Sequence, residues 1–267
     1  MNQDKRHQVS VEKELKVVAR QEQALHRAAT RQKTPRWKTE LRDKVPEKVY
    51  DNLEKAFCKA FELVFDKGTG WIEKTYNAQA MRSDHAVHDF AFQVKADRKS
   101  LKNLRRDAKG DTLRSLFVTG AEGIGLGVLG VGLPDIVLFV GMLLQGMYKT
   151  ALHYGFAYDT PEERYFILLL MQTAMQKGSE WEACDHDVEQ LMQAMDQAQP
   201  VTLSLDDQRT RTAQAFAADM VVSKFIQGLP LVGAIGGATN PIYYNRVMKY
   251  AELKYRKRYL LGLRKTL

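Results

Sequence analysis

Residues Leu116 to Tyr148 read LFVTGAEGIGLGVLGVGLPDIVLFVGMLLQGMY. The run is apolar enough to suggest a membrane span, yet it holds eight glycines (Gly120, Gly123, Gly125, Gly127, Gly130, Gly132, Gly141 and Gly146) and a Pro134-Asp135 break. Glycine costs a helix about 1 kcal/mol relative to alanine. That cost makes sense where backbones must come close, in a buried core or between helices in lipid. Gly123 and Gly127 stand in GxxxG spacing. A spanning helix needs about 20 mainly apolar residues, and Ile124 to Leu144 is long enough. However, an aspartate at a bilayer centre costs about 2.5–3.5 kcal/mol, and a proline breaks the hydrogen-bond ladder. Two shorter helices meeting near Pro134 fit better than one span. A buried core is the first reading, with a core that opens toward lipid and a true span as alternatives. A shorter echo, FIQGLPLVGAIGGATN at Phe225 to Asn240, repeats Gly132-Leu133-Pro134 as Gly228-Leu229-Pro230.

Outward from these segments nearly everything reads as helix. Val49, Leu53, Ala56, Phe57, Ala60, Phe61, Val64 and Phe65 form one stripe at helical spacing behind Pro46. Gly68 and Gly70 are expected to close that helix in a left-handed conformation. A short helix from Trp71 to about Met81 follows, then one from Ser83 to about Leu104. Thr160 and Glu163 stand in capping-box spacing with Pro161 between them, opening a helix whose apolar run, Tyr165 to Met171, should be buried nearly all round. Ser179 and Glu182 repeat the spacing for an acidic helix with an inner face of Trp181, Val188, Leu191 and Met195. Asp206 starts the next helix and Asn240-Pro241 the last. Only Val201 to Leu205 alternates like a strand. The expected fold is all-α, a multi-helix bundle with two glycine-rich, Pro-broken apolar hairpin segments. Residues 1–45 read as a basic, polar, mobile helical extension, and 46–267 as one helical domain.

The chain of 267 residues carries a formal charge of +8, unevenly placed. Residues 1–48 hold thirteen Lys/Arg against seven Asp/Glu, and residues 246–265 hold eight against Glu252 alone. Residues 178–208 hold eight acids and no Lys or Arg. Two cysteines, Cys58 and Cys184, exclude a disulfide scaffold. The N-terminus has no apolar signal region, so a cytoplasmic protein is expected. In the last helix Tyr243, Tyr244, Tyr250, Tyr255 and Tyr259 alternate with Arg246, Lys249, Lys254, Arg256, Lys257 and Arg258. Aromatics among cations suit an anionic membrane interface. Base stacking is the competing use, and lipid is favoured over nucleic acid because it also accounts for the apolar glycine-rich runs. The bland alternative is a C-terminal helix packing its tyrosines on the core.

Catalytic signals are few. Gly125-Leu126-Gly127-Val128-Leu129-Gly130 matches GxGxxG but follows no strand, and no P-loop, GxSxG or HExxH pattern occurs. His85 and His88 share a helix face, as a metal pair requires, but a structural site needs about four ligands. Cys184-Asp185-His186-Asp187 cannot converge, because adjacent helical residues point apart. Asp135 is explained most simply as a residue at a helix start. As an acid/base it would need Glu122 or His153 beside it. The reading that follows is a non-enzymatic protein that needs no cofactor and no metal. Its partner is an anionic membrane surface or a membrane transporter subunit, met through Gly123, Gly125, Gly127, Leu133, Pro134 and the basic residues Arg246 to Arg258. The alternative is a hydrolase or metal-dependent enzyme using Asp135 with His85, His88 and His153.

Leu133-Pro134-Asp135, Tyr154-Gly155, Pro161-Glu162-Glu163-Arg164, Pro230-Leu231-Val232-Gly233-Ala234 with Gly237 and Asn240, and Tyr255-Arg256-Lys257-Arg258 together resemble the EcsC protein family. The resemblance covers about Pro46 to Leu263, which makes the first 45 residues look like an addition. It implies a mostly helical fold and a bacterial cytoplasmic protein with some relation to the membrane or to ABC-type transporters. The family has no accepted catalytic residues to transfer.

Overall fold

The stripe that begins at Val49 forms α2 (Glu47–Leu63), with Pro46 immediately before its first turn and Phe57, Ala60 and Phe61 fully buried. The computed structural model describes residues 3–31, 45–107, 133–226 and 240–267. Among the described residues there are ten α-helices and no strand. The others are α1 (Gln3–Arg31), α3 (Thr69–Lys74), α4 (Ala78–Lys95), α5 (Arg98–Asp107), α6 (Leu133–His153), α7 (Pro161–Met175), α8 (Gly178–Asp196), α9 (Leu205–Ile226) and α10 (Asn240–Thr266).

Helix α7 is buried all round over Phe166 to Met171, as its unbroken apolar run requires, and it packs on α8, α9 and α10. Helix α2 lies against α9 and α6. The Phe216 ring joins the three, 5.5 Å from Phe57 and 6.0 Å edge-on from Phe139. Helix α10 crosses α6 and α7 and carries α1 on its outer side. Gly146 supplies the close approach expected of the glycines: a Cβ there would meet Met248 Sδ at 2.6 Å and Tyr244 OH at 2.7 Å. The window Ile136–His153 of α6 is long and apolar enough to cross a membrane, with mean hydropathy 1.3, but 78% of it is buried within the protein. Gly120, Gly123, Gly125, Gly127, Gly130, Gly132 and the echo Gly228-Leu229-Pro230 lie outside the described residues.

Several local expectations change. Residues 3–31 are a docked helix rather than a mobile one: Val11 and Val18 are fully buried against the core, and α1 touches α10, α8 and α5. Gly68 does not end α2, because its φ of −91° keeps it right-handed; the chain runs through a π-helical turn, Val64–Gly68, straight into α3. The long helix expected from Ser83 to Leu104 is two helices. Ala96 adopts φ 51°, and Asp97 Oδ1 accepts from Ser100 N at 2.9 Å, capping α5. The Thr160 hydroxyl accepts from Glu163 N as expected, but the Glu163 carboxylate turns inward instead of closing the box. Helix α8 starts at Gly178 (φ 60°) with no side-chain cap, so the Ser179/Glu182 box does not form.

Candidate functional site

The cations of α10 do not stand in a solvated row. Tyr250 and Lys254 sit one helical turn apart and point at α8, while Lys257, three residues on, lies over the same spot. Lys254 is only 2% exposed, and its Nζ meets Asp185 at 2.7 Å, Glu189 at 2.5 Å and Glu22 of α1 at 3.2 Å. Lys257 bridges Glu22 at 2.9 Å and Glu189 at 2.8 Å. The Tyr250 hydroxyl donates to Asp185 at 2.5 Å. Burial opposes the charge on Lys254, but Asp185, Glu189 and Glu22 outweigh it and hold the ammonium pKa above its usual value. Burial likewise pushes Glu189 up, and Lys254 and Lys257 overcome it, leaving the carboxylate below its ordinary range. An opening of about 370 Å³ beside this cluster is lined by His26 and Trp181 as well.

The neighbouring cations are committed in the same way. Arg256 pairs with the buried Glu14 of α1, which also binds Arg98 Nε at 2.5 Å. Arg258 reaches Glu163 at 2.9 Å and lies 4.1 Å over the Phe156 ring and 4.7 Å over Phe166. Glu163 also accepts from Tyr255 OH at 2.6 Å. Its burial outweighs Arg258 and raises its pKa. Arg246 meets Asp219 at 3.0 Å with Lys177 on the other oxygen. Burial pushes Asp219 up, but Arg246 and Lys177 pull it below the ordinary range. Lys249 alone of the six expected contact cations is exposed. The acidic stretch 178–208 was visible in the sequence, but its pairing with α10 across α1 was not.

The histidines divide as well. His85 Nδ1 donates to the His153 carbonyl at 3.0 Å, and His153 Nε2 donates to the Leu104 carbonyl at 2.5 Å, so the two rings tie α4, α6 and α5 together. His85 packs edge-on to Tyr259, and Gly155, at φ 81°, fits directly beneath its ring. His88 is half-buried on α4. Among the described residues no three His, Cys, Asp or Glu side chains gather where a metal ion could sit, so the His85/His88 pair finds no third ligand. Cys184, Asp185 and His186 diverge to Gln172, to Tyr250 and to Gln190 respectively. Leu133, Pro134 and Asp135 form the first turn of α6; the capping role expected of Asp135, and Glu122, lie outside what is described.

One polar region had no signal in the sequence. Glu73, Gln79, Arg82, Ser83 and Tyr158 line a cleft of about 600 Å³. The Tyr158 hydroxyl donates to Glu73 at 2.7 Å, and its ring stacks on the buried Tyr148, 4.3 Å between centroids. Burial pushes the Tyr148 hydroxyl up to about 12 and raises Tyr76 and Tyr158 as well. Tyr158 therefore stays protonated at neutral pH and serves as the hydrogen-bond donor to Glu73. No periodicity could have placed residue 158 beside residue 73.

An all-α domain wound around a long C-terminal helix, with its charges cross-linked between helices, is the class that this fold defines. The chain belongs to the EcsC protein family, whose model matches residues 10–260. That match begins inside α1, in keeping with the docking of α1 on α10 and against its being an addition. No curated protein and no solved structure matches the chain.

Proposed function

We propose that the protein acts without catalysis at the cytoplasmic face of a membrane, binding lipid or a membrane transporter component reversibly. Helix α6 is the observation that carries this reading. Its Ile136–His153 window has the length and hydropathy of a span, yet most of it is buried among other helices. In the sequence it continues an apolar, glycine-rich run that begins at Leu116. For α6 itself to meet lipid, the helices packed around it would have to part. A hydrolase or metal-dependent enzyme on Asp135, His85, His88 and His153 has less support, because His85 and His153 each commit a ring nitrogen to a backbone carbonyl.

Flotation of the purified chain with vesicles of neutral phosphatidylcholine, and of phosphatidylcholine mixed with phosphatidylglycerol, tests the reading at low and high salt. Binding to the anionic vesicles is expected. Failure to float on any vesicle would remove lipid and leave a membrane protein as the target.

A further inference from the structure

Helix α4 buries one side chain fully, Phe92. Facing away from the core, Val87 is 65%, Phe90 66% and Val94 57% exposed. They stand at i, i+3 and i+7, which is one stripe of a helix surface. Among the described residues six large apolar side chains are exposed, and three of them lie on this stripe. Helix α5 follows after the left-handed Ala96 and packs against α4. It buries Leu101 and Leu104 and leaves Lys99 and Lys102 exposed, and Lys95 stands exposed at the end of α4. Over its ten residues α5 has five Lys/Arg and one acid. Of the nearby acids, Asp89 is bonded to Tyr259 and Gln93 and Asp97 to Ser100, while Asp84, three residues before Val87, is exposed.

We infer that this α4–α5 pair is a docking surface for an anionic lipid membrane, with Val87, Phe90 and Val94 entering the headgroup boundary and Lys95, Lys99 and Lys102 meeting the lipid charge. The inference rests on the membrane reading above and gives it a surface. Exposed apolar side chains on α4, followed by exposed lysines at its end and on the α5 packed against it, match an interface that is apolar beneath and negative at its rim. The charge argues against a second copy as occupant, since two such faces repel. It also sets the pair apart from α10, whose cations are largely taken up by Glu14, Glu22, Asp185, Glu189 and Glu163.

The test uses the full chain and the same anionic vesicles, comparing wild type with Phe90→Asp/Val94→Asp, Lys99→Glu/Lys102→Glu and, as control, Ile242→Asp on α10. All five positions are exposed, so unchanged thermal transitions are expected and verify folding. Each double variant should lose about tenfold or more in vesicle partitioning. The lysine pair should also flatten the salt dependence, and the control should bind like wild type. Double variants that float like a floating wild type would overturn this surface and leave the membrane reading standing. A wild type that does not float would overturn lipid for both. A wild type that self-associates until Phe90→Asp disperses it would show an interface between copies instead, and overturn the inference.

Discussion

Replacing Lys254 by methionine keeps the unbranched stem, one atom shorter, and removes the charge. In the wild type two ammonium groups, Lys254 and Lys257, face three carboxylates, Glu22, Asp185 and Glu189. In the variant Lys257 still pairs with Glu22 and Glu189, but Asp185 loses its ammonium partner and keeps the Tyr250 hydroxyl, inside a site where Lys254 is 2% exposed. Breaking a buried pair by removing one partner costs about 3–5 kcal/mol. For a chain of this size each kcal/mol shifts the melting temperature by about 2–4 °C, so Lys254→Met should melt about 6–20 °C below wild type at pH 7, followed by circular dichroism. The raised Lys254 pKa means that its contribution is fully present below the unfolded lysine value, about 10.4, and is lost as pH rises through the folded one. At pH 7 the full effect is therefore measured. The lowered pKa of Glu189 means that its share is lost only as pH falls through its folded value, below the usual carboxylate range, and there the gap between variant and wild type should narrow. Adding Glu189→Gln should recover part of the loss. The exposed Lys249→Met should stay within about 0.5 kcal/mol of wild type. A Lys254→Met protein that melts within 2 °C (roughly 1 kcal/mol) of wild type would refute the claim that this cluster holds α1, α8 and α10 together.

Asp219→Asn should destabilise the fold by about 1–3 kcal/mol at neutral pH, since Arg246 and Lys177 lose a charged acceptor. The lowered pKa of Asp219 gives stability that is present above about pH 4 and lost as pH falls through the folded value, so the variant's acid denaturation limb should be shallower. Gly155→Ala places a β-carbon against the His85 ring at φ 81° and should cost about 1–2 kcal/mol or more in urea unfolding, part of it recovered by adding His85→Ala. Deleting residues 1–31 uncovers Lys254 and Arg256 together with the sites of Val11 and Val18, and should abolish the cooperative thermal transition.

The helical class was legible because the evidence for it is local: the stripe from Val49, the apolar run of α7, the Thr160 cap and Asn240-Pro241 each state their own structure. The break at Ala96 was hidden because an alanine, not a glycine or proline, takes the left-handed position, and the only local mark is Asp97 three residues before Ser100. The fate of the basic residues was hidden for a different reason. Charge counts showed basic ends and an acidic middle, but whether they solvate separately or meet depends on α1 lying against both α8 and α10, which is tertiary information. The polar character of residues 1–45 misled in the same way: Val11, Glu14 and Val18 are sparse along the sequence yet fall on one buried edge of α1. The α4 stripe was written in the sequence as Val87, Phe90 and Val94, but apolar residues at that spacing normally mark a core face. Only the structure shows them turned outward.

Hydrogen–deuterium exchange of the full chain with and without anionic vesicles tests the central claim most directly, because it reads binding and location together. The expected result is added protection over residues 87–106 on vesicle binding, weakened at high salt, with the buried ion-pair region of α10 unchanged. Identical exchange with and without vesicles would contradict membrane binding, and protection confined to other helices would contradict the surface assigned to it.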